Sequence, residues 1–405
     1  MNVLHINNFS AGGGAESVFN LIRNNLDYTI NYTGYFKREK DNETPDILFT
    51  SWENDNKLIG VFNYVFSFNN YRQLLSFLNN NQVDVIHIHG FFSTISPSIL
   101  LAIKKFKKNN SNIKIIQTLH DFHLVCPNSS LFNYKRNESC EKCVGKKYKL
   151  HILKDQCDRR GFIFSVIKGI RSLLTTMIKH KEIIDIFITP SEFLKNILIK
   201  DGIISSKIRV IRNPIIVDKN MLYPNKENMV CYFGRFAKEK NLEFLVNAFS
   251  KWKKETNNDF RLLLIGEGEE QDKLKDLAKH SGFSEYILIK DFIPQNELIN
   301  ELRKVKYFSM TSVCYENAPM SILESAAMNI IPIVPDKGGM RETVETVLKA
   351  GKTYHAADER SWVETMINIE QYYSKELNLV LESVKKIESL YNLGNFLKEL
   401  NNVYS

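Results

Sequence analysis

Several absences bound what this 405-residue chain can be. No uncharged apolar run approaches the roughly 18 residues that a membrane-spanning helix needs. Any membrane contact is therefore expected to be peripheral. The opening MNVLHINNFSAGGGAE has no basic n-region, no apolar h-region and no small-residue cleavage site, which predicts a chain that starts as written and works in the cytoplasm. No zinc-finger, homeodomain or RNP-type pattern accompanies the net charge of +8, so no nucleic-acid partner is expected. No 20–50-residue period suggests a solenoid.

What is present is charge in one place. Between Lys135 and Lys181 there are thirteen Lys and Arg against four Asp and Glu, a local +9 that leaves the rest about neutral. A field confined to one segment points to one anionic partner surface. The length suits two domains. Strand-like runs alternate with helical patterns, near Val3–Asn7, Val83–His89, Ile113–Leu119, Asp185–Thr189 and Ile208–Ile211, then again in MVCYFGR, FRLLLIGEGEE, YILIKDF, YFSMTS and IIPIVPD. The pattern predicts two doubly wound, Rossmann-like α/β domains facing a central cleft. The expected division is 1–213, a turn-rich linker 214–228, a second domain 229–385, and a closing amphipathic helix 386–405 that crosses back to the first.

The stretch SVCYENAPMSILESAAMNIIPIVPDKGG sets Glu316 and Glu324 on either side of Pro319. Proline suits a first helical turn, MSILESAAM is helical in propensity, and Asn329 stands where a left-handed cap is wanted. A helix N-terminus offers unpaired N–H groups and a positive dipole end to a phosphate. The two glutamates can accept hydroxyls on either side of it. Arg235 and Lys240, in GRFAKEKN after another strand, add cations suited to a diphosphate and to the charge that grows as it departs. A ligand with phosphate at its centre and hydroxyls at both ends fits all of these, and a nucleotide sugar is such a ligand. The GEG at Gly266–Gly268 is not read as a dinucleotide loop, because no full G-x-G-x-x-G follows.

The ordered set GGGAE, HIHGFF, TLHDF, VIRNPI, GRFAKEKN, LLLIGEGEE, E-x7-E and GGMRETV resembles the retaining glycosyltransferases of family 4, which have the GT-B fold. The resemblance implies that Arg235 and Lys240 hold the donor diphosphate, that Glu324 binds the ribose, and that Glu316 contacts donor-sugar hydroxyls. It places the backbone of Asn317, Ala318, Pro319 and Met320 nearby and Phe292 and Ile293 beside the base. It also implies that Gly13 and Gly14 let the first domain approach the diphosphate and that His120 lies beside the donor sugar. Asn329 stands where the family usually has glycine, and Ser325 where alanine is commoner. The implied chemistry is same-face attack, with the leaving diphosphate taking the acceptor's proton and no metal required. Retaining glycosidases instead flank the bond with carboxyls about 5 to 5.5 Å apart. The implied setting is bacterial O-antigen or capsule synthesis from a UDP-sugar or similar donor, with a glycan or polyprenyl-diphosphate-linked acceptor. An epimerase or phosphorylase on the same fold, and a non-catalytic sugar-binding scaffold, are the alternatives.

Two features stand outside that set. Cys126, Cys140, Cys143 and Cys157 are spaced thirteen, two and thirteen residues apart, a pattern that suits a structural zinc, with free thiols as the other reading. The run GFIFSVIKGIRSLLTTMIKHK, Gly161 to Lys181, is either an amphipathic helix packed on its own domain or one lying at an anionic membrane surface on its cytoplasmic face.

Overall fold

The computed structural model describes every residue except 27–29, 39–42, 55 and 216–225, so most of the expected linker lies outside the described residues. The chain divides into two units. The first holds Met1–Arg136, Cys140–Asn213 and Phe396–Ser405, and the second holds Asn137–Ser139 and Pro214–Asn395.

The first unit contains β1 (Asn2–Ile6), β2 (Ile30–Tyr35), β3 (Ile47–Leu48), β4 (Val85–Ile88), β5 (Lys114–Thr118), β8 (Ile186–Thr189) and β9 (Ile208–Val210). Two-residue strands β6 (Phe132–Asn133) and β7 (Glu138–Ser139) fall between β5 and β8. The seven-stranded sheet runs β3-β2-β1-β4-β5-β8-β9, with parallel neighbours throughout. In the second unit β10 (Glu227–Phe233), β11 (Arg261–Ile265), β12 (Ile287–Lys290), β13 (Val305–Ser309), β14 (Ile331–Pro335) and β15 (Lys352–Tyr354) form a parallel sheet in the order β12-β11-β10-β13-β14-β15. These are the two Rossmann-like α/β domains expected.

Central strands such as VCYF and LLLI are buried on both faces, which is why they read as continuous apolar runs rather than alternating ones. Helices cover those faces. Leu242–Thr256 and Glu359–Gln371 bring Trp252 and Trp362 edge to face at 6.0 Å, and the Trp362 indole donates to Ser309 Oγ on β13 at 2.9 Å. The strands β2, β3 and β15 escaped sequence reading. INYTGY carries too many polar residues, and the other two are too short to show a period.

The helix Tyr373–Leu390 stays with the second unit, whose core contains Val380, Val384 and Ile387. The segment belonging to the first unit therefore begins at Phe396, later than position 386. There Phe396, Leu400, Val403 and Tyr404 are buried, and the Tyr404 hydroxyl meets His87 Nδ1.

Candidate functional site

In the second unit the strand order reverses between β10 and β13, which are hydrogen-bonded neighbours. Loops leaving the carboxyl ends of adjacent strands at such a switch point splay apart and leave a crevice, where ligands of open α/β sheets bind. The loop after β10 carries Arg235 and Lys240, and the loop after β13 carries Glu316.

Backbone crossings hold the first loop in place. A Cβ on Gly266 would lie 1.9 Å from the Gly234 carbonyl oxygen, and one on Gly268 would lie 2.2 Å from that of Phe236. Phe236 N–H donates to the Glu267 carbonyl at 2.8 Å. The GEG segment thus has glycines because another backbone passes against it, which accounts for them without any dinucleotide.

Two hydrogen bonds stitch the switch-point loops together. Thr311 Oγ1 donates to the Lys240 carbonyl at 2.8 Å, and Val313 N–H donates to the Glu239 carbonyl at 2.9 Å. Across this seam Lys240 Nζ meets Glu316 Oε1 at 2.5 Å, with the side chains 19% and 18% exposed. Ser312 Oγ donates to the same oxygen at 2.8 Å. Burial lowers the Lys240 ammonium's pKa, but the Glu316 carboxylate, Tyr232 and Cys314 together outweigh it and hold the group above its ordinary value. Lys240 is fully charged at neutral pH. Arg235 is more than half exposed and pairs at 2.7 Å with Glu239, whose side chain is buried.

Pro319 takes the N-cap position with ψ of 107°, one residue ahead of the helix Met320–Ala327. Proline lacks the N–H that would be wasted there. The far end closes as the sequence suggests, with Asn329 at φ 59°. Asn329 N–H donates to Ala326 O at 2.8 Å and Ile330 N–H to Ser325 O at 3.0 Å, the paired bonds of a Schellman cap. Ser325 is buried and bonds the Ile322 carbonyl, so it fits in alanine's place. Glu324 lies in the second turn and is exposed. Surrounding protein desolvates its carboxyl and raises its pKa.

Gly339 explains the downstream GG. Its N–H donates to the Glu316 carbonyl at 2.8 Å, and a Cβ there would lie 1.6 Å from the Asn317 carbonyl oxygen. Only glycine permits this approach. Lys337 braces the same loop, donating to the Val313 carbonyl at 2.8 Å and lying 5.0 Å over the Tyr315 ring. Asn317 is buried, Ala318 and Pro319 belong to the loop, and Met320 opens the helix. Phe292, 68% exposed, and Ile293, packed against the core, follow β12 at the sheet edge two strands from β10.

Sequence reasoning missed Glu239, Lys337 and Ser312. Lys337 depends on a loop 24 residues away, whereas Glu239 and Ser312 each meet a partner four residues along, Arg235 and Glu316, a spacing that was a readable signal.

In the first unit Gly13 caps the helix Gly14–Asn25, and its N–H donates to Glu16 Oε2 at 2.9 Å. A Cβ on Gly13 or Gly14 would meet no close neighbour, so the chain's own packing does not require glycine at either position. His120 follows β5. Burial lowers its pKa to about 4, so the imidazole is neutral, and its ring stacks at 6.0 Å on that of His89. His5, His87 and His89 bring ring nitrogens within 4.8 Å of one another. Burial lowers the pKa of all three, to about 4 for His5, so they are neutral core imidazoles, and both nitrogens of His87 meet partners, Tyr404 and Thr118.

The helix Phe162–Ile178 is turned unusually. Its buried positions are Ser165, Gly169, Arg171, Thr175 and Ile178, while Phe162, Ile163, Ile170, Leu173 and Met177 are exposed. Arg171 explains the inversion, since its guanidinium is buried and donates to the carbonyls of Phe91, Phe92 and Ile95. Beside this helix a cavity of about 440 Å³ is lined by Lys147, Lys149, Lys179 and Lys181 together with Phe92 and Met177.

Comparison with known proteins bears on the family and the fold. Residues 217–390 match the glycosyl transferases group 1 family, and residues 55–219 match glycosyltransferase family 4. An uncharacterized glycosyltransferase of Methanocaldococcus jannaschii is 24% identical over 237 residues, 55% of this chain and 57% of that protein. In Campylobacter jejuni an N-acetylgalactosamine-N,N'-diacetylbacillosaminyl-diphospho-undecaprenol 4-alpha-N-acetylgalactosaminyltransferase is 30% identical over 118 residues, 29% of this chain and 30% of that protein. The matches thus span from under a third to somewhat over half of these relatives. Among solved structures, the Anabaena protein HepE in complex with UDP-glucose aligns with a TM-score of 0.68 at 14% identity, covering 99% of this chain and 98% of that one. The solved-structure likeness shows the GT-B fold, and with the two family matches together spanning most of its length, the chain belongs to the family 4 type of glycosyltransferases.

Proposed function

We propose that the protein transfers a sugar, with retention of anomeric configuration, from a nucleoside-diphosphate sugar to a glycan or polyprenyl-diphosphate-linked acceptor in bacterial surface-polysaccharide synthesis. The observation that carries this reading is the Lys240–Glu316 pair at the switch point, ahead of the N-terminus of Met320–Ala327. Lys240, Arg235 and the helix N-terminus take the diphosphate, and their positive charge gains strength as the leaving group becomes more negative. Glu316 then passes from its lysine to hydroxyls of the donor sugar, and Glu324 accepts from the ribose. Phe292 and Ile293 border the base. The transfer step needs no metal in this reading, because fixed cations already sit where phosphate charge develops.

For Gly13, Gly14 and His120 a role toward the donor rests on the family resemblance, with His120 neutral and glycine not required by the chain's own packing at 13 and 14. HepE is solved with UDP-glucose, and the Campylobacter relative is named for an undecaprenyl-diphosphate acceptor; both support a UDP-sugar and a lipid-linked acceptor here. The lysine-lined cavity and the outward apolar face of Phe162–Ile178 suit an anionic lipid headgroup and a membrane surface.

The test is transfer of labelled sugar from a panel of nucleotide sugars to polyprenyl-diphosphate-linked acceptors, with the product anomer assigned by NMR. Acceptor-dependent transfer with the donor's anomeric configuration is expected. Turnover of donor without acceptor would indicate an epimerase, dependence on inorganic phosphate a phosphorylase, and no turnover in a protein that binds donor a scaffold.

A further inference from the structure

The segment between β5 and the helix Phe162–Ile178 has little regular structure. It holds β6, β7 and the short helix His151–Asp155, yet it buries Cys126, Cys143 and Cys157. So small an irregular body rarely holds its shape by apolar burial alone.

One turn gathers the cysteines. Cys126–Leu131 folds back so that Ser129 N–H donates to the Cys126 carbonyl at 2.8 Å. Ser129 and Leu131 adopt φ of 63° and 48°, a left-handed conformation unfavourable for leucine. Burial raises the pKa of Cys126, and the backbone N–H groups of Asn128, Leu131 and Ser130 offset part of the rise. The same turn carries the others. Cys140 N–H donates to the Leu131 carbonyl at 2.7 Å, Tyr134 N–H donates to the Cys157 carbonyl at 3.2 Å, and Asn128 Nδ2 donates to that carbonyl at 2.5 Å. Cys143 follows within C-x2-C and lies against the Lys149 carbonyl at 3.8 Å.

We propose that Cys126, Cys140, Cys143 and Cys157 bind one thiophilic divalent metal ion, zinc by class, in a tetrahedral all-thiolate site. The Leu131–Cys140 bond and the two donors on the Cys157 carbonyl bring the segments of Cys126, Cys140 and Cys157 to one place, and C-x2-C adds Cys143. Among the described residues only the His5, His87 and His89 nitrogens lie mutually within 4.8 Å, so binding must pull the sulfurs in toward the roughly 3.8 Å set by Zn–S bonds of about 2.3 Å. On binding, Zn²⁺ forms four Zn–S bonds and the four S–H protons pass to solvent, leaving a site of net charge −2. Lys168 and Lys149 act on Cys126 and Cys143, and the surrounding +9 segment offsets that charge.

The experiment uses the full chain, expressed with zinc and purified without chelator. Metal analysis is expected to find about one zinc per chain. Exchange with Co²⁺ should give the thiolate-to-cobalt charge-transfer band of a tetrahedral site, and titration with an organomercurial should release the metal as four thiols react. Cys140→Ser with Cys143→Ser should abolish metal binding, whereas Cys231→Ser should retain it. Absence of zinc together with absence of the cobalt band in the wild-type chain would overturn the proposal, whatever the variants do. So would a disulfide among these four cysteines, or metal retained in the double variant.

Discussion

Lys240 and Glu316 are held together before any ligand arrives, and this pairing sets what each can do. Both side chains are only about a fifth exposed, so removing one leaves the other's charge partly desolvated, at a cost between those of a surface pair and a fully buried one. Lys240→Ala is expected to lower the transfer rate by about 10²–10³-fold, as the loss of a transition-state charge partner does, while unfolding shifts by about 1–2 kcal/mol. Parallel rate and denaturation measurements check this, and a collapse in stability matching the loss in rate would assign the lysine a structural role. Arg235, Lys240, Glu316 and Glu324 were legible as candidates because residue type and strand-end position are local properties. The partners were not. Lys240 and Glu316 are 76 residues apart, and which loop faces which follows from the strand order, which no local pattern encodes.

At the scale of elements, the loop before Met320–Ala327 depends on a single missing side chain. Gly339 lets the next helix start against the Glu316–Asn317 peptide, and a Cβ 1.6 Å from a carbonyl oxygen cannot be accommodated without backbone movement. Gly339→Ala is expected to cost about 3 kcal/mol and to weaken nucleotide-sugar binding in the folded fraction, read by urea denaturation and by titration. Unchanged affinity would uncouple this contact from the site. The helix Met320–Ala327 was readable with its Asn329 cap, because propensity, proline and a left-handed cap residue all agreed. The helix Phe162–Ile178 was only half readable. Its periodicity marked two faces, but buried Arg171 reverses which of them packs inward.

At the scale of the molecule, charge and titration decide behaviour. Two consequences follow from the first unit. The fully buried His5 has its pKa lowered to about 4 by desolvation, and His180 has its pKa lowered to about 3 by the same cause. The folded chain therefore resists protonation that the unfolded chain accepts below about 6.5. Stability is expected to be full above that pH and to fall from there to about pH 4, with His5 alone accounting for roughly 3 kcal/mol. Thermal unfolding across that range checks the sign, and a flat profile would contradict it. The exposed apolar face with its lysines is expected to bind anionic vesicles in a salt-sensitive way. Ile163→Asp with Met177→Asp should cut cosedimentation at least tenfold, and equal binding to neutral vesicles would point away from a membrane surface. The division into two Rossmann-like domains was visible from restarting strand runs. The return of Phe396–Ser405 to the first unit rests on tertiary packing, to which amphipathicity alone gives no address.

The most direct measurement is calorimetric titration of the full chain with UDP-, GDP-, ADP- and TDP-sugars, repeated with Arg235→Ala and Glu324→Ala. Binding of one nucleotide class with a clear preference is expected, with each substitution weakening it at least tenfold, about 1.4 kcal/mol. Absence of binding by every nucleotide sugar in a folded wild-type chain, or affinity indifferent to both substitutions, would contradict the placement of the donor at the β10–β13 switch point.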